Sequence, residues 1–308
     1  MTRTGTGKYE ALLDRCRGLE PVPTAVAHPC DASALAGPLQ AAADKLIAPI
    51  LVGPKAKIVE IAERGDLDLG ATQIVDVPHS HAAANTAVDL VREGRAELLM
   101  KGSLHTDELL GAVVAREGGL RTGRRISHVF LMDVPGYHKV LVITDAAINI
   151  APSLEDKVDI CQNAIDLAVT LDVQRPKVAV LAAVETVNSK MPATIDAACL
   201  CKMSERGQIV GGVIDGPLAF DNAISVDAAR TKGIVSEVAG DPDILLAPDL
   251  EAGNILAKQL SFLGGADSAG LVLGARVPII LTSRADSVRA RIASCAVAML
   301  AAHARRRR

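Results

Sequence analysis

Short apolar runs alternate with longer Ala-rich stretches through most of this chain, and that alternation restricts the fold more than any other property of the sequence. A helical pattern over residues 33–45 leads into an apolar run at 49–53, then a helix at 55–64 and a strand at 73–77. A helix at 81–92 and a strand at 97–100 follow, and Thr106 with Asp107 opens another helix. The runs 127–132 and 139–143 flank Val134-Pro135-Gly136-Tyr137, a turn signal that reads as a hairpin. Beyond Pro152 the pattern gives a helix at 154–171, strands at 177–184, 209–214 and 244–247, and helices at 193–205 and 253–263. Strands separated by helices of roughly 10 to 15 residues predict a doubly wound, mostly parallel α/β sheet, or two of them. With 308 residues, two domains of about 150 each are expected.

The composition excludes several functions. Apolar residues make up 49% of the chain, but there is no Trp and only two Tyr and three Phe. Nucleic-acid binding through stacked bases is therefore not expected. The net charge of −3 gives no general attraction to polyanions, and Arg305 to Arg308 reads as a solvated tail. No apolar run reaches the ~18 residues of a membrane span, and no charged-then-apolar leader is present. The six cysteines form neither a zinc pattern nor a disulfide frame. Gly5-Thr6-Gly7-Lys8 lacks the preceding strand and the full spacing of a phosphate loop. A reduced, cytoplasmic protein without membrane or nucleic-acid partners is expected.

One stretch concentrates chemistry. Val277-Pro278-Ile279-Ile280-Leu281 reads as a buried strand, and it ends in Thr282-Ser283-Arg284-Ala285-Asp286-Ser287. From Val288 a helix follows, with Ile292, Cys295 and Met299 on its stripe. Open α/β sheets bind ligands beyond the carboxyl ends of their strands, next to helix N-termini. Hydroxyl and guanidinium donors there suit a phosphate-bearing substrate, and a carboxylate there can manage a proton. The competing role is a plain strand-to-helix turn, whose Ser or Asp caps the helix and whose Arg is solvated.

Six motifs in this order resemble the phosphate acetyl/butyryltransferase family. They are Lys101-Gly-Ser-Leu-His-Thr106, Thr144-Asp-Ala-Ala-Ile-Asn149, Asp215-Gly-Pro-Leu-Ala-Phe-Asp221, Pro248-Asp-Leu-Glu-Ala-Gly-Asn254, Gly274-Ala-Arg-Val-Pro278 and Leu281-Thr-Ser-Arg-Ala-Asp-Ser287. They span roughly residues 95 to 300, and the wording is closest to the transferase half of enoyl-CoA hydratase/phosphate acetyltransferase fusions. The first 30 residues do not resemble a hydratase, so the transferase part standing alone is expected. The resemblance implies two α/β/α domains of the isocitrate/isopropylmalate dehydrogenase-like architecture with a cleft between them, placed at residues 1–134 plus 272–308 and at 135–271. It implies a homodimer without cofactor or metal. The implied reaction moves a short acyl group, acetyl to butyryl, between CoA and inorganic phosphate.

In that reading Ser283, Arg284 and Asp286 are catalytic. Arg284 clamps phosphate with its planar fork, and Ser283 donates to phosphate or to the developing oxyanion. Lys101, Gly102, Ser103, Thr106, Asp145, Asn149, Gly265 and Ser268 are the expected substrate-binding residues. The family Asp seven positions after the serine is Ala290 here, and the butyryltransferase-like pattern offers Asp286 instead. An unperturbed Asp near pKa 3.9 and a thiol near 8.5 differ by about 4.6 units, or ~6 kcal/mol. Asp286 therefore orients the thiol in this reading while Arg284 and helix N-termini stabilise thiolate. The second family arginine corresponds to Gly111, with Arg124 or Arg125 as possible substitutes. Two alternatives stay open: a non-catalytic acyl-CoA-binding or scaffold protein, and a dehydrogenase of the same fold.

Overall fold

The computed structural model describes residues 7–282 and 286–307; residues 1–6, Ser283, Arg284, Ala285 and Arg308 lie outside the described residues. The chain runs α1 (Lys8–Cys16), β1 (Val22–Ala27), α2 (Ala32–Ala43), β2 (Ile47–Gly53), α3 (Lys55–Arg64), β3 (Gln73–Asp76), α4 (Ser80–Arg92), β4 (Leu98–Lys101) and α5 (Thr106–Val114). It continues through β5 (Ser127–Asp133), β6 (Leu141–Thr144), α6 (Leu154–Thr170), β7 (Lys177–Leu181), α7 (Pro192–Glu205), β8 (Val213–Leu218), α8 (Phe220–Ile224), α9 (Val226–Thr231) and β9 (Ile244–Leu246). Then come α10 (Leu250–Phe262), β10 (Asp267–Leu273), β11 (Ile279–Ile280) and α11 (Val288–Arg306). This is the expected α/β alternation.

Two compact units emerge, one from residues 9–124 with 269–308 and the other from residues 1–8 with 125–268. The sequence-based borders, after residues 134 and 271, leave β5 with the first group. In the structure β5 falls with β6, because the two pair antiparallel from Val129 opposite Thr144 to Met132 opposite Leu141. That pairing is the expected hairpin around Pro135-Gly136.

In the first unit the strand order is β3-β2-β1-β4-β11-β10. All neighbours run parallel except β10 with β11. Helix α4 packs on β1, β2, β4 and α5, while α2 packs on β2, α3 and α11. β1 escaped the sequence pattern because Pro21 and Pro23 interrupt it. Pro23 is tolerated because pairing with β4 begins only at Thr24, so no donor is missing there. Strand β11 shrinks to Ile279–Ile280, both fully buried.

The second unit has the order β5-β6-β9-β7-β8. Its core gathers Met132, Ile143, Ala179, Leu218, Leu245 and their neighbours. β8 lies later than the expected 209–214 and includes Pro217, which sits in the outermost strand of this order, where a missing donor is tolerated. Helix α6 starts with a full capping box, Ser153 Oγ accepting from Asp156 N and the Asp156 carboxylate accepting from Ser153 N. Among the described residues no helix is long and apolar enough to cross a membrane.

Candidate functional site

The first unit brings three strand ends side by side. β1, β4 and β11 run parallel, with Ala27 opposite Lys101 and Met100 opposite Ile280. His28, Gly102 and Thr282 therefore leave the sheet at one level. With neighbouring strands about 4.8 Å apart, positions 28 and 282 are separated by roughly 10 Å across this edge. It is the carboxyl edge, where open α/β sheets bind ligands.

Backbone bonds stitch the edge together. Gly102 N donates to Ala27 O at 2.9 Å, and Ser103 N donates to His28 O at 2.8 Å. Only glycine fits at 102, because a Cβ would lie 2.4 Å from Ala27 O and 2.5 Å from His28 O. Ser103 Oγ donates to His28 O at 2.8 Å, accepts from Cys30 N at 3.2 Å, and lies 3.2 Å from His28 Nδ1. Lys101 Nζ donates to Gly102 O at 3.1 Å. A small hollow beside these groups is lined by Asp31, Ser33, Lys101, Gly102, Thr282 and Arg291. The buried Arg291 on α11 donates from Nη1 to Ser33 O at 2.6 Å, and Asp31 caps α2 by accepting from Ala34 N at 2.7 Å. Burial lowers the His28 pKa from its ordinary value of 6.5; Lys57 also lowers it, with Glu108 and Asp31 opposing.

Of the expected catalytic residues, Ser283 and Arg284 lie outside the described residues. Asp286 is described, and it is not the helix cap: Ser287 caps α11, its Oγ accepting from Ala290 N at 3.1 Å. Thr106 is the first residue of α5, behind the N-cap His105, whose side chain makes no capping bond.

The sequence carries the phosphate acetyl/butaryl transferase pattern over residues 79–299 of its 308. The chain belongs to this family. It is 66% identical over 299 residues to a phosphate acetyltransferase of Rhizobium meliloti, covering 97% of this chain and 95% of that protein. A phosphate butyryltransferase of Clostridium beijerinckii is 44% identical over 294 residues, covering 96% of this chain and 97% of the relative. Among solved structures, a branched-chain phosphotransacylase from Enterococcus faecalis V583 superposes with a TM-score of 0.79 at 30% identity, over 92% of this chain and 99% of the other.

Other residues singled out by the family resemblance fall elsewhere. Gly111 lies exposed on α5, with nothing within 4 Å of where a Cβ would stand. Arg125, a possible stand-in for the missing family arginine, donates from Nε to Asn149 Oδ1 at 2.8 Å and pairs with Asp156 at 3.1 Å. Asp145 and Asn149 belong to the second unit and are 3% and 4% exposed. Asp145 Oδ1 accepts from Ala147 N and Ile148 N, at 2.9 and 3.0 Å, and Oδ2 accepts from His128 N and Asn149 Nδ2. Asn149 Nδ2 also donates to Ile126 O at 2.9 Å. Every polar atom of the two side chains thus has an internal partner. Gly265 adopts φ 65°, with open space at its Cβ position, and Ser268 lies on β10.

His28 escaped the sequence reading. Its signal was a polar residue directly after a short apolar run, His28-Pro29-Cys30-Asp31, but the partner that gives it meaning stands 75 residues further on.

Proposed function

We propose that this protein is a phosphate acyltransferase that moves a short acyl group reversibly between CoA and inorganic phosphate. The observation that carries this reading is the 66% identity to a phosphate acetyltransferase along nearly the whole chain. The acyl range extends from acetyl toward butyryl, in keeping with the 44% identity to a phosphate butyryltransferase. Arg284 grips phosphate through its fork, and Ser283 donates to phosphate or to the oxyanion of the tetrahedral intermediate. Lys101 and the start of α5 contribute charge and backbone donors at the same edge of the sheet. Asp286 stands next to the α11 cap, and its role is in the chemistry rather than in the cap. The protein works as a cytoplasmic homodimer.

The test is phosphate-dependent release of free thiol from acetyl-, propionyl- and butyryl-CoA. Turnover with at least one of them is expected. Folded protein that binds CoA without turning over any of the three would favour an acyl-CoA-binding protein.

A further inference from the structure

We propose that His28 is the proton acceptor for the CoA thiol, acting through Nε2. The inference rests on the phosphate acyltransferase reading and supplies the base that reading lacks, since the family Asp is Ala290 here.

The contacts at Ser103 suit one form of the ring. Ser103 Oγ has one proton and gives it to His28 O at 2.8 Å. Its lone pairs then face Cys30 N and His28 Nδ1, each at 3.2 Å. The Nδ1 contact is favourable only if Nδ1 carries hydrogen. In the proposed form the neutral ring carries hydrogen at Nδ1 and is bare at Nε2, and Nε2 has no hydrogen-bond partner among the described residues. The ring is held by its second nitrogen and offers the first as a base, in the way a catalytic imidazole is oriented.

The surroundings keep that base available. The charged groups acting on the ring are Lys57 of α3, Asp31 at the start of α2 and Glu108 of α5. Burial outweighs the two carboxylates, so the ring is deprotonated at neutral pH. An imidazole at its ordinary 6.5 lies about 2 units below a thiol, against about 4.6 for an unperturbed Asp, and burial of His28 widens its own gap. Cys30 does not compete as a nucleophile, because burial raises its thiol to about 11. Position agrees, because His28 leaves β1 at the level where β4 delivers Gly102 and β11 delivers Thr282.

In the direction of thioester formation, sulfur bonds to the carbonyl carbon of the acyl phosphate, and the C–O bond to phosphate breaks after the tetrahedral stage. The thiol proton passes to Nε2 and then to the departing phosphate. In reverse, phosphate attacks the thioester, the C–S bond breaks, and Nε2–H protonates the thiolate.

His28 has φ 53°, a left-handed conformation that Asn and Gly accept readily. His28→Asn therefore keeps the backbone and offers an amide N–H to Ser103, but it cannot take a proton. The expected result is a loss of at least about a hundredfold in kcat at unchanged Tm, with disappearance of the acidic limb that wild-type kcat/KM shows below the ordinary imidazole range, where burial has moved the ring. His28→Gly should lose as much and recover in part with added imidazole. His28→Asn within about threefold of wild type, with the limb intact, overturns the proposal. So does equal loss in both variants without imidazole rescue and with the limb retained, which would leave the ring only a structural hold on Ser103. A wild-type protein without acyl transfer defeats the functional reading itself, an outcome separate from either of these.

Discussion

The carboxyl edge of the first unit and the Asp145–Asn149 turn of the second were both marked by polar residues inside apolar sequence. They use that polarity in opposite ways. Around Asp145 every side-chain donor and acceptor is spent inside the protein: two backbone amides on one oxygen, a backbone amide and the Asn149 amide on the other. At the first-unit edge, backbone bonds do the joining, from Gly102 and Ser103 to residues 27 and 28. They leave the far nitrogen of His28 and the strand ends for another task. A saturated buried network stiffens a fold; an edge closed by its main chain can present side chains to a ligand.

Mutations can break or sharpen this contrast. The largest stability effect is expected from Asp145→Ala, which strands three backbone N–H groups and the Asn149 amide at a buried site. At about 1–3 kcal/mol for each unsatisfied group, the loss should reach ~4 kcal/mol in urea unfolding. A loss below ~1 kcal/mol would show that water or neighbours replace the carboxylate and that the network is not closed.

On the other side, Arg284→Lys should leave the unfolding midpoint alone and lower kcat about a hundredfold, equivalent to ~3 kcal/mol of transition-state stabilisation. Wild-type turnover from this variant would remove Arg284 from phosphate binding.

Smaller effects separate cap from chemistry at the start of α11. Ser287→Ala should cost ~1 kcal/mol of stability by removing the acceptor for Ala290 N, with little change in kcat. Asp286→Asn should do the reverse, preserving stability and lowering turnover at least tenfold. If Asp286→Asn keeps full activity, the carboxylate has no part in the reaction.

The mildest change expected is from Gly111→Arg. The exposed helical position has room for the side chain, so the protein should fold with its stability within ~1 kcal/mol, since arginine is the better helix former. The phosphate KM should fall if an arginine there reaches the anion. An unchanged or higher KM would mean that another group already fills that role.

Much of the fold was legible because its cues are local. Lys55–Arg64 carries its own apolar stripe, and Pro135-Gly136 announces the turn between β5 and β6. β1 was hidden because prolines flank and enter it, and β10 because Asp267-Ser268-Ala269-Gly270 looks like a loop until its partners are known. The site divided along the same line. Lys101-Gly102-Ser103 could be found from the end of an apolar run, whereas the bond that orients His28 joins residues 75 apart. Nor could sequence distinguish Asp145, sealed by its neighbours, from a carboxylate facing solvent, because burial is a property of the assembled fold.

Strand β11 also bears on synthesis. It pairs Ile279 with Leu99, about 180 positions earlier in the chain. At roughly 5–20 residues per second, β4 leaves the ribosome some 10 to 40 s before this neighbour exists. Residues 125–268 of the second unit emerge within that interval, whereas the first unit still lacks β11 and α11. The nascent chain therefore carries an unpaired apolar strand side, Leu98-Leu99-Met100, that invites pairing with other chains. That side is closed only once the final 40 or so residues arrive.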